Sequence, residues 1–168
     1  VFFSTCSQVR YVYEVFCGMQ PGIPLTCLHG KIKQEKRTII YNDFVRKKSS
    51  CMLATDIAAR GLDFPTVDWV IQIDAPEDVD TYVHRVGRTA RHNASGRSLM
   101  LLLPTEEHSM NKTLKDRGIE VKKLTVNPKK AFSVAAQASS LLASAPEFRL
   151  LAKKAFNGYL RSLQLIPE

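Results

Sequence analysis

Short unbroken runs of apolar residues alternate along this chain with longer segments in which apolar positions recur at helical spacing. Runs of this length are typical of strands that are buried on both faces of a sheet. The strands predicted from this pattern are residues 1–3, 25–28, 51–54, 67–73 and 98–103. Strands that alternate with amphipathic helices form βαβ units, so the pattern predicts an α/β fold in which helices cover both faces of a mostly parallel sheet.

Polar caps and helix-breaking residues divide the intervening segments into helices. Ser4 or Thr5 can cap the first, and a second is predicted over residues 31–45. That second helix should turn Ile32, Ile39, Ile40 and Phe44 inward. Further helices are predicted from Asp74 and from Thr105, the latter ended by Gly118, and residues 120–126 are predicted to form a short edge strand.

Composition narrows the class of protein and of partner. Hydrophobic residues make up 45% and charged residues 24% of the 168, as in ordinary globular proteins, and no apolar run is long enough to cross a bilayer. A net charge of +8 indicates an anionic partner, nucleic acid first. The four cysteines form no C-x-x-C pair and the four histidines lack ligand spacing, so we expect reduced thiols and no metal site. The chain begins inside an apolar run, and we expect it to be a piece of a longer protein.

Polar loops follow the predicted strands at Ser4–Thr5, His29–Gly30, residues 55–63 and Asp74. In parallel sheets these loops share one edge, where ligands bind. Backbone N–H groups around Thr55 and Gly61 could hold phosphate oxygens, and Asp63 could accept a hydrogen bond from a ribose hydroxyl. The alternative is a structural turn in which the Asp side chains satisfy their own backbone.

Residues 82–91 concentrate three arginines and a histidine. Read as a helix, they place His84, Arg88 and Arg91 on one face and turn Val83, Val86 and Ala90 toward a core. Cations on one face repel each other unless an anion is near, and guanidinium groups bind phosphate oxygens bidentately. The arrangement therefore suggests a polyphosphate partner, against the alternative of a solvated basic helix end.

The composition changes after residue 127. Residues 131–145 are rich in Ala and Ser, and Pro146 begins a helix whose basic face carries Lys153, Lys154 and Arg161. We interpret residues 127–168 as a helical extension that either covers the core or binds RNA or a protein partner.

Taken together, these patterns resemble a known family. T-D-x-x-A-R-G-x-D at residues 55–63 and H-R-x-G-R-x-x-R at residues 84–91 resemble motifs V and VI of the DEAD-box RNA helicases. Phe2 with Ser4–Thr5 resembles motif IV, and H-G-x-x-x-Q-x-x-R at residues 29–37 resembles a further element of that family. The resemblance implies that residues 1–126 form the C-terminal RecA-like lobe, a three-layer α/β domain, and that residues 127–168 form a helical C-terminal extension.

The resemblance also implies a nucleotide site shared with an N-terminal RecA-like lobe. Arg88 and Arg91 would be arginine fingers on the γ-phosphate, His84 would couple the ATP and RNA sites, and Asp63 would contact the ribose. ATP and Mg²⁺ would be held mainly by the N-terminal lobe, because the chain has no G-x-x-x-x-G-K-[ST] pattern and no Asp-Glu-Ala-Asp stretch. We therefore predict that this piece alone has no appreciable ATPase or unwinding activity.

The remaining motif residues are implied to serve RNA and the lobe interface. Arg60 and Arg85 would form salt bridges between motifs and between lobes. Contacts to the RNA sugar–phosphate backbone, independent of base sequence, would come from Thr5, Gly30, Gln34, Arg37, Thr55 and Gly61, with Gln34 supporting Arg37.

The tail implies a cellular role. Asn127–Pro128 and residues 155–162 resemble the C-terminal extension of helicases that act in ribosome assembly. This implies a nucleolar protein that acts on pre-ribosomal RNA beside ribosome-assembly proteins. Two alternatives remain: a non-catalytic module that uses a helicase-like lobe to hold RNA or protein, and an unrelated α/β enzyme such as a methyltransferase.

Overall fold

A computed structural model describes residues 1–56, 64–89, 95–127, 129 and 131–164. Its strands are β1 Leu25–Leu28, β2 Cys51–Ala54, β3 Trp69–Gln72 and β4 Arg97–Met100. Its helices are α1 Cys6–Met19, α2 Gln34–Arg46, α3 Val79–Val86, α4 Pro104–Asp116, α5 Ala135–Ser144 and α6 Pro146–Gln164.

The strands form a parallel sheet with the N-terminal apolar run at its centre. β1 pairs with β2 and β3 pairs with β4, both in parallel. Phe2 joins the two pairs through parallel bridges to Ala54 and Gln72. The order across the sheet is therefore β1, β2, Phe2, β3 and β4, which confirms the predicted parallel α/β fold.

Apolar clusters on both faces of the sheet attach the helices. On one face Phe2, Leu28 and Met52 pack with Ile40 and Phe44 of α2. On the other face Phe3, Val9 and Leu53 pack together where α1 covers the sheet. Two helical layers around one sheet give the three-layer arrangement that the sequence pattern predicts.

One predicted core position in α2 is wrong. Ile39 is 68% exposed, whereas Ile40 and Phe44, four residues apart, lie on the face that meets the sheet. Ile39 is rotated by about 100° from Ile40 around the helix axis, which is enough to turn it into solvent.

The predicted edge strand at residues 120–126 is also wrong. After Gly118, which ends α4 with a φ of +71°, these residues have no regular structure. Leu124 and Val126 are 65% and 72% exposed, and Lys123 pairs with Glu107 of α4 at 2.5 Å. The Lys123–Glu107 ion pair links this segment to α4, and none of the described strands supplies the ladder of backbone hydrogen bonds that a strand needs.

The extension packs on the first helix. α5 and α6 contact each other and α1, and Ala155 of α6 is buried. Arg149 of α6 donates to the carbonyl oxygens of Leu142 and Ala143 at 2.9 and 3.2 Å, which holds the end of α5. None of the described helices has the length and apolar character that a membrane span requires.

Candidate nucleic-acid and nucleotide interface

The loops at the carboxyl ends of the strands are tied together by Asp74. The Asp74 Oδ2 accepts hydrogen bonds from the Ser4 N–H at 2.7 Å and from Gln8 Nε2 at 3.0 Å. At the other end of the sheet, the Thr55 N–H donates to the carbonyl oxygen of Leu28 at 3.2 Å. The described parts of these loops therefore cluster on one edge, as predicted, and we call it the strand-end edge.

Thr5 lies on the strand-end edge as the N-cap of α1. The Gln8 N–H donates to the Thr5 hydroxyl at 3.2 Å, and the Gln8 side-chain oxygen accepts from the Thr5 N–H at 3.0 Å. The Thr5 hydroxyl proton goes to the same Gln8 oxygen at 2.8 Å. This capping box satisfies the first turn of the helix and fixes the Thr5 side chain.

Arg85 makes the strongest polar contact of the edge. Its Nε and Nη2 donate to the two carboxylate oxygens of Asp56, each at 2.7 Å, in a bidentate pair. Its Nη1 donates to Gln72 Oε1 at 3.2 Å and to the carbonyl oxygen of Asp74 at 2.9 Å. The guanidinium carbon lies 5.5 Å from the centroid of the Phe2 ring, and only 2% of Arg85 is exposed. Arg85 thereby fastens α3 to the loop after β2.

The buried face of α3 differs from the predicted one. Val83 is 47% exposed, whereas Tyr82 and Arg85 are buried. The polar partners of Arg85 hold this side of the helix against the sheet. The periodicity of apolar residues could not indicate this, because the buried residue is an arginine. Arg85 forms its salt bridge between the two motifs of this chain. With 2% exposure it has no surface left for the predicted contact with another lobe.

Arg37 is held by a turn rather than by Gln34. Its Nε and Nη2 donate to the carbonyl oxygens of Ile32 and Gly30, each at 2.9 Å. The predicted support from Gln34 is therefore replaced by backbone carbonyls of the turn that precedes α2. The bonds to described residues use two of the five guanidinium N–H groups, so Arg37 can still donate to an anion.

Positive charge surrounds the loop after β1. Burial lowers the pKa of His29, and the nearby charges of Arg10, Lys31 and Arg37 lower it further. Arg10 and Lys31 were missed by motif reasoning, because single exposed cations have no sequence signature. Together these groups make this part of the edge attractive to a polyanion.

Two buried polar atoms on the same edge have no hydrogen-bond partner among the residues that the structure describes. They are the Thr55 hydroxyl oxygen and His29 Nδ1. Buried polar atoms of this kind are usually satisfied, so each marks a position where a ligand or water can bind.

The Arg88 backbone lies away from the strand-end edge, at the amino end of β3. α3 ends at Val86, and the following turn brings the Arg88 carbonyl oxygen to the Val67 N–H at 3.0 Å, just ahead of the start of β3. His84 belongs to α3 and Arg88 to the turn after it, so these two residues do not share one continuous helix face, as the helical interpretation required. His84 is exposed and Arg88 is half-buried.

Arg88 lines a cleft of about 770 Å³ on the side of the sheet covered by α2. Most other walls of this cleft are apolar, including Phe44, Met52, Phe64 and Trp69. Lys47, Lys48, Ser49 and Ser50 line the same cleft, so its polar part combines Arg88 with a basic, hydroxyl-bearing loop.

Four predicted site residues lie outside the described residues: Arg60, Gly61, Asp63 and Arg91. Within the described ranges, no three side chains of His, Cys, Asp or Glu converge on a point that could hold a metal ion.

Comparison with known proteins shows which family and which relatives the chain is similar to. Residues 1–93 match the family described as the helicase conserved C-terminal domain. The chain is 49% identical over 168 residues to the probable ATP-dependent RNA helicase DDX10 of Gallus gallus, covering 100% of this chain and 19% of that protein. It is 50% identical over 165 residues to the ATP-dependent RNA helicase DBP4 of Coccidioides immitis, covering 98% of this chain and 20% of that protein.

Among solved structures, the chain is similar to domain 2 of the DEAD-box helicase Mss116p, bound to an RNA duplex. The TM-score is 0.70 at 25% identity, covering 97% of this chain and 65% of that one. The chain spans about a fifth of the length of the curated relatives that it matches.

Proposed function

Because the chain belongs to the helicase conserved C-terminal domain family and resembles its DEAD-box members, we propose that it is the second RecA-like lobe of an ATP-dependent RNA helicase. In this proposal the lobe binds the RNA backbone on its strand-end edge and supplies arginines to ATP hydrolysis. The observation that carries the proposal is the Asp56–Arg85 pair, because it joins the first residues of motif V to motif VI.

The RNA side of the proposal rests on the strand-end edge. Thr5, Gly30 and Thr55 occupy loops that share this edge, and Arg37 lies beside it with donors in reserve. Gln34, which is exposed at the start of α2, and Gly61 complete the proposed set. Contacts of this kind reach phosphate and sugar and carry no base information, so the binding would not depend on RNA sequence.

The nucleotide side rests on Arg88 and, by resemblance, on Arg91, Asp63 and His84. Arg88 follows the anchored helix α3 directly, so the Asp56–Arg85 pair limits where the Arg88 backbone can lie. A guanidinium group in this role stabilises the charge that develops on phosphoryl oxygens, and such arginines contribute about 10³–10⁵ in rate. ATP and Mg²⁺ would be held mainly by the N-terminal lobe, and Arg60 would join the interface between the lobes.

The cellular setting is also a proposal. The tail at Asn127–Pro128 and residues 155–162 resembles the extension of ribosome-assembly helicases. The proposed substrate is therefore pre-ribosomal RNA in the nucleolus, in the company of ribosome-assembly proteins.

RNA binding is tested with Arg37→Ala in a salt titration against single-stranded oligouridylate. Because Arg37 would neutralise one phosphate, the variant should bind more weakly and the salt slope should fall by about one. Arg46→Ala is the matched control, since it removes the same charge from the other end of α2. Equal slopes for both variants would remove Arg37 from the RNA site.

ATP hydrolysis is tested by adding the N-terminal lobe and measuring RNA-stimulated turnover. Arg88→Ala should lower kcat by about 10³ or more while RNA binding is retained. Unchanged turnover would remove the arginine-finger role. Absence of turnover with the wild-type lobe, combined with intact RNA binding, would favour the alternative of a non-catalytic binding module.

A further inference from the structure

The extension helix α6 docks on the strand-end edge through a glycine. A Cβ atom added to Gly158 would lie 2.5 Å from the Ser7 hydroxyl oxygen and 3.3 Å from the Thr5 hydroxyl oxygen. Those two hydroxyl oxygens are themselves 3.1 Å apart. The backbone of α6 therefore passes directly over the N-terminus of α1, at the residue proposed to bind RNA.

Helix geometry then determines which side chains of α6 border Thr5. Lys154 and Arg161 are four residues before and three residues after Gly158, so they lie within about 60° of it around the helix axis. Lys153 is about 140° away on the same flank and faces outward. Both Lys154 and Arg161 are exposed, and neither forms an ion pair with a residue in the described part of the chain.

The other flank of α6 has the opposite charge environment. Tyr159 lies on it, and burial raises the pKa of this phenol, with further contributions from Asp74 and Glu106. Acidic groups thus border one flank of the helix, and the two cations border the other. An anionic ligand that passes Thr5 would be attracted to the flank of Lys154 and Arg161.

We propose that Lys154 and Arg161 are RNA phosphate ligands that extend the strand-end edge onto the C-terminal extension. The two residues are about 10 Å apart along the helix, so they would bind different phosphate groups of one strand. This inference rests on the proposed RNA binding at Thr5 and adds a second element to it. The extension then lengthens the RNA path.

The test compares neighbouring lysines on α6 in the 168-residue chain. Lys154→Ala and Arg161→Ala should each weaken binding of single-stranded oligouridylate by about 3- to 10-fold and lower the salt slope by about one. Lys153→Ala is the matched control and should change the affinity by less than about 2-fold. All three side chains are exposed, so urea unfolding should be nearly the same for each variant.

The outcomes separate this inference from the proposed function. Equal effects of Lys153→Ala and Lys154→Ala, with a clear loss for Arg37→Ala, would overturn the inference and leave the proposed function in place. If Lys154→Ala and Arg161→Ala weaken the binding of a glutamate-rich peptide but not of RNA, this flank would bind an acidic protein, and that result would also overturn the inference. If RNA binding is weakened by none of the four substitutions Arg37→Ala, Lys153→Ala, Lys154→Ala and Arg161→Ala, the result would count against the proposed function itself.

Discussion

Removal of the Arg85 side chain tests whether the pair between the two motifs holds the domain together. Arg85→Ala leaves the Asp56 carboxylate without its cation, and only 23% of that side chain is exposed. Breaking a buried pair from one side costs about 3–5 kcal/mol, and the partial exposure of Asp56 places the cost near the lower value. Gln72 Oε1 and the Asp74 carbonyl oxygen also lose a donor, at about 1 kcal/mol each where water cannot replace it. We expect the free energy of unfolding to fall by about 5 kcal/mol.

Urea unfolding followed by circular dichroism measures this change. Arg117→Ala is the matched control, because Arg117 also pairs with an aspartate at 2.8 Å but both side chains are more than half exposed. Its loss should cost less than about 1 kcal/mol. If Arg85→Ala does not fold, Asp56→Asn keeps the shape of the partner and should still cost more than the control. Equal costs at the buried and exposed pairs would refute the reasoning.

Three further predictions follow from other contacts. Gln8→Ala removes the capping box with Thr5 and one hydrogen bond to Asp74, so urea unfolding should show a loss of about 1–2 kcal/mol; a loss near zero would contradict the assigned cap. Gly158→Val places side-chain atoms where Ser7 and Thr5 already lie, and it should cost about 1–3 kcal/mol and raise proteolysis of α6; an unchanged cleavage pattern would argue against close docking. The pKa of His29 is lowered in the folded chain, so the free energy of unfolding should be at its full value above pH 6.5 and should decline as the pH falls from there toward the folded pKa. The reason is that the unfolded chain binds the proton first. His29→Asn should flatten this pH dependence, and an equally steep dependence in that variant would contradict the prediction.

The order of elements and the motif residues were readable from the sequence. Continuous apolar runs predicted buried parallel strands, because only strands covered on both faces can be apolar throughout. The spacing of Thr, Arg and Gly in the two longest motifs was enough to indicate the family, which the comparisons confirm. The edge shared by the loops after the strands followed from topology alone, since parallel strands place their carboxyl ends together.

Side-chain orientation was where sequence reasoning failed. Ile39 and Val83 were assigned to the core from helical spacing, yet they are 68% and 47% exposed. The short helix α3 has a polar anchor, Arg85, on its buried side, and a count of apolar positions treats every arginine as external. Residues 120–126 were predicted to be an edge strand, but no described strand pairs with them.

Only tertiary structure decided where the charges lie relative to one another. Arg85 and Arg88 are three residues apart and are the same type of residue, so local sequence patterns do not distinguish their environments. The fold buries one against Asp56 below the strand-end edge and leaves the other half-buried beside Val67. The docking of Gly158 on Thr5 joins residues more than 150 positions apart, which no local pattern encodes. Spacing along the chain fixes which side chains share a helix face, but electrostatic and packing partners depend on which distant segments the folded chain brings within a few ångströms.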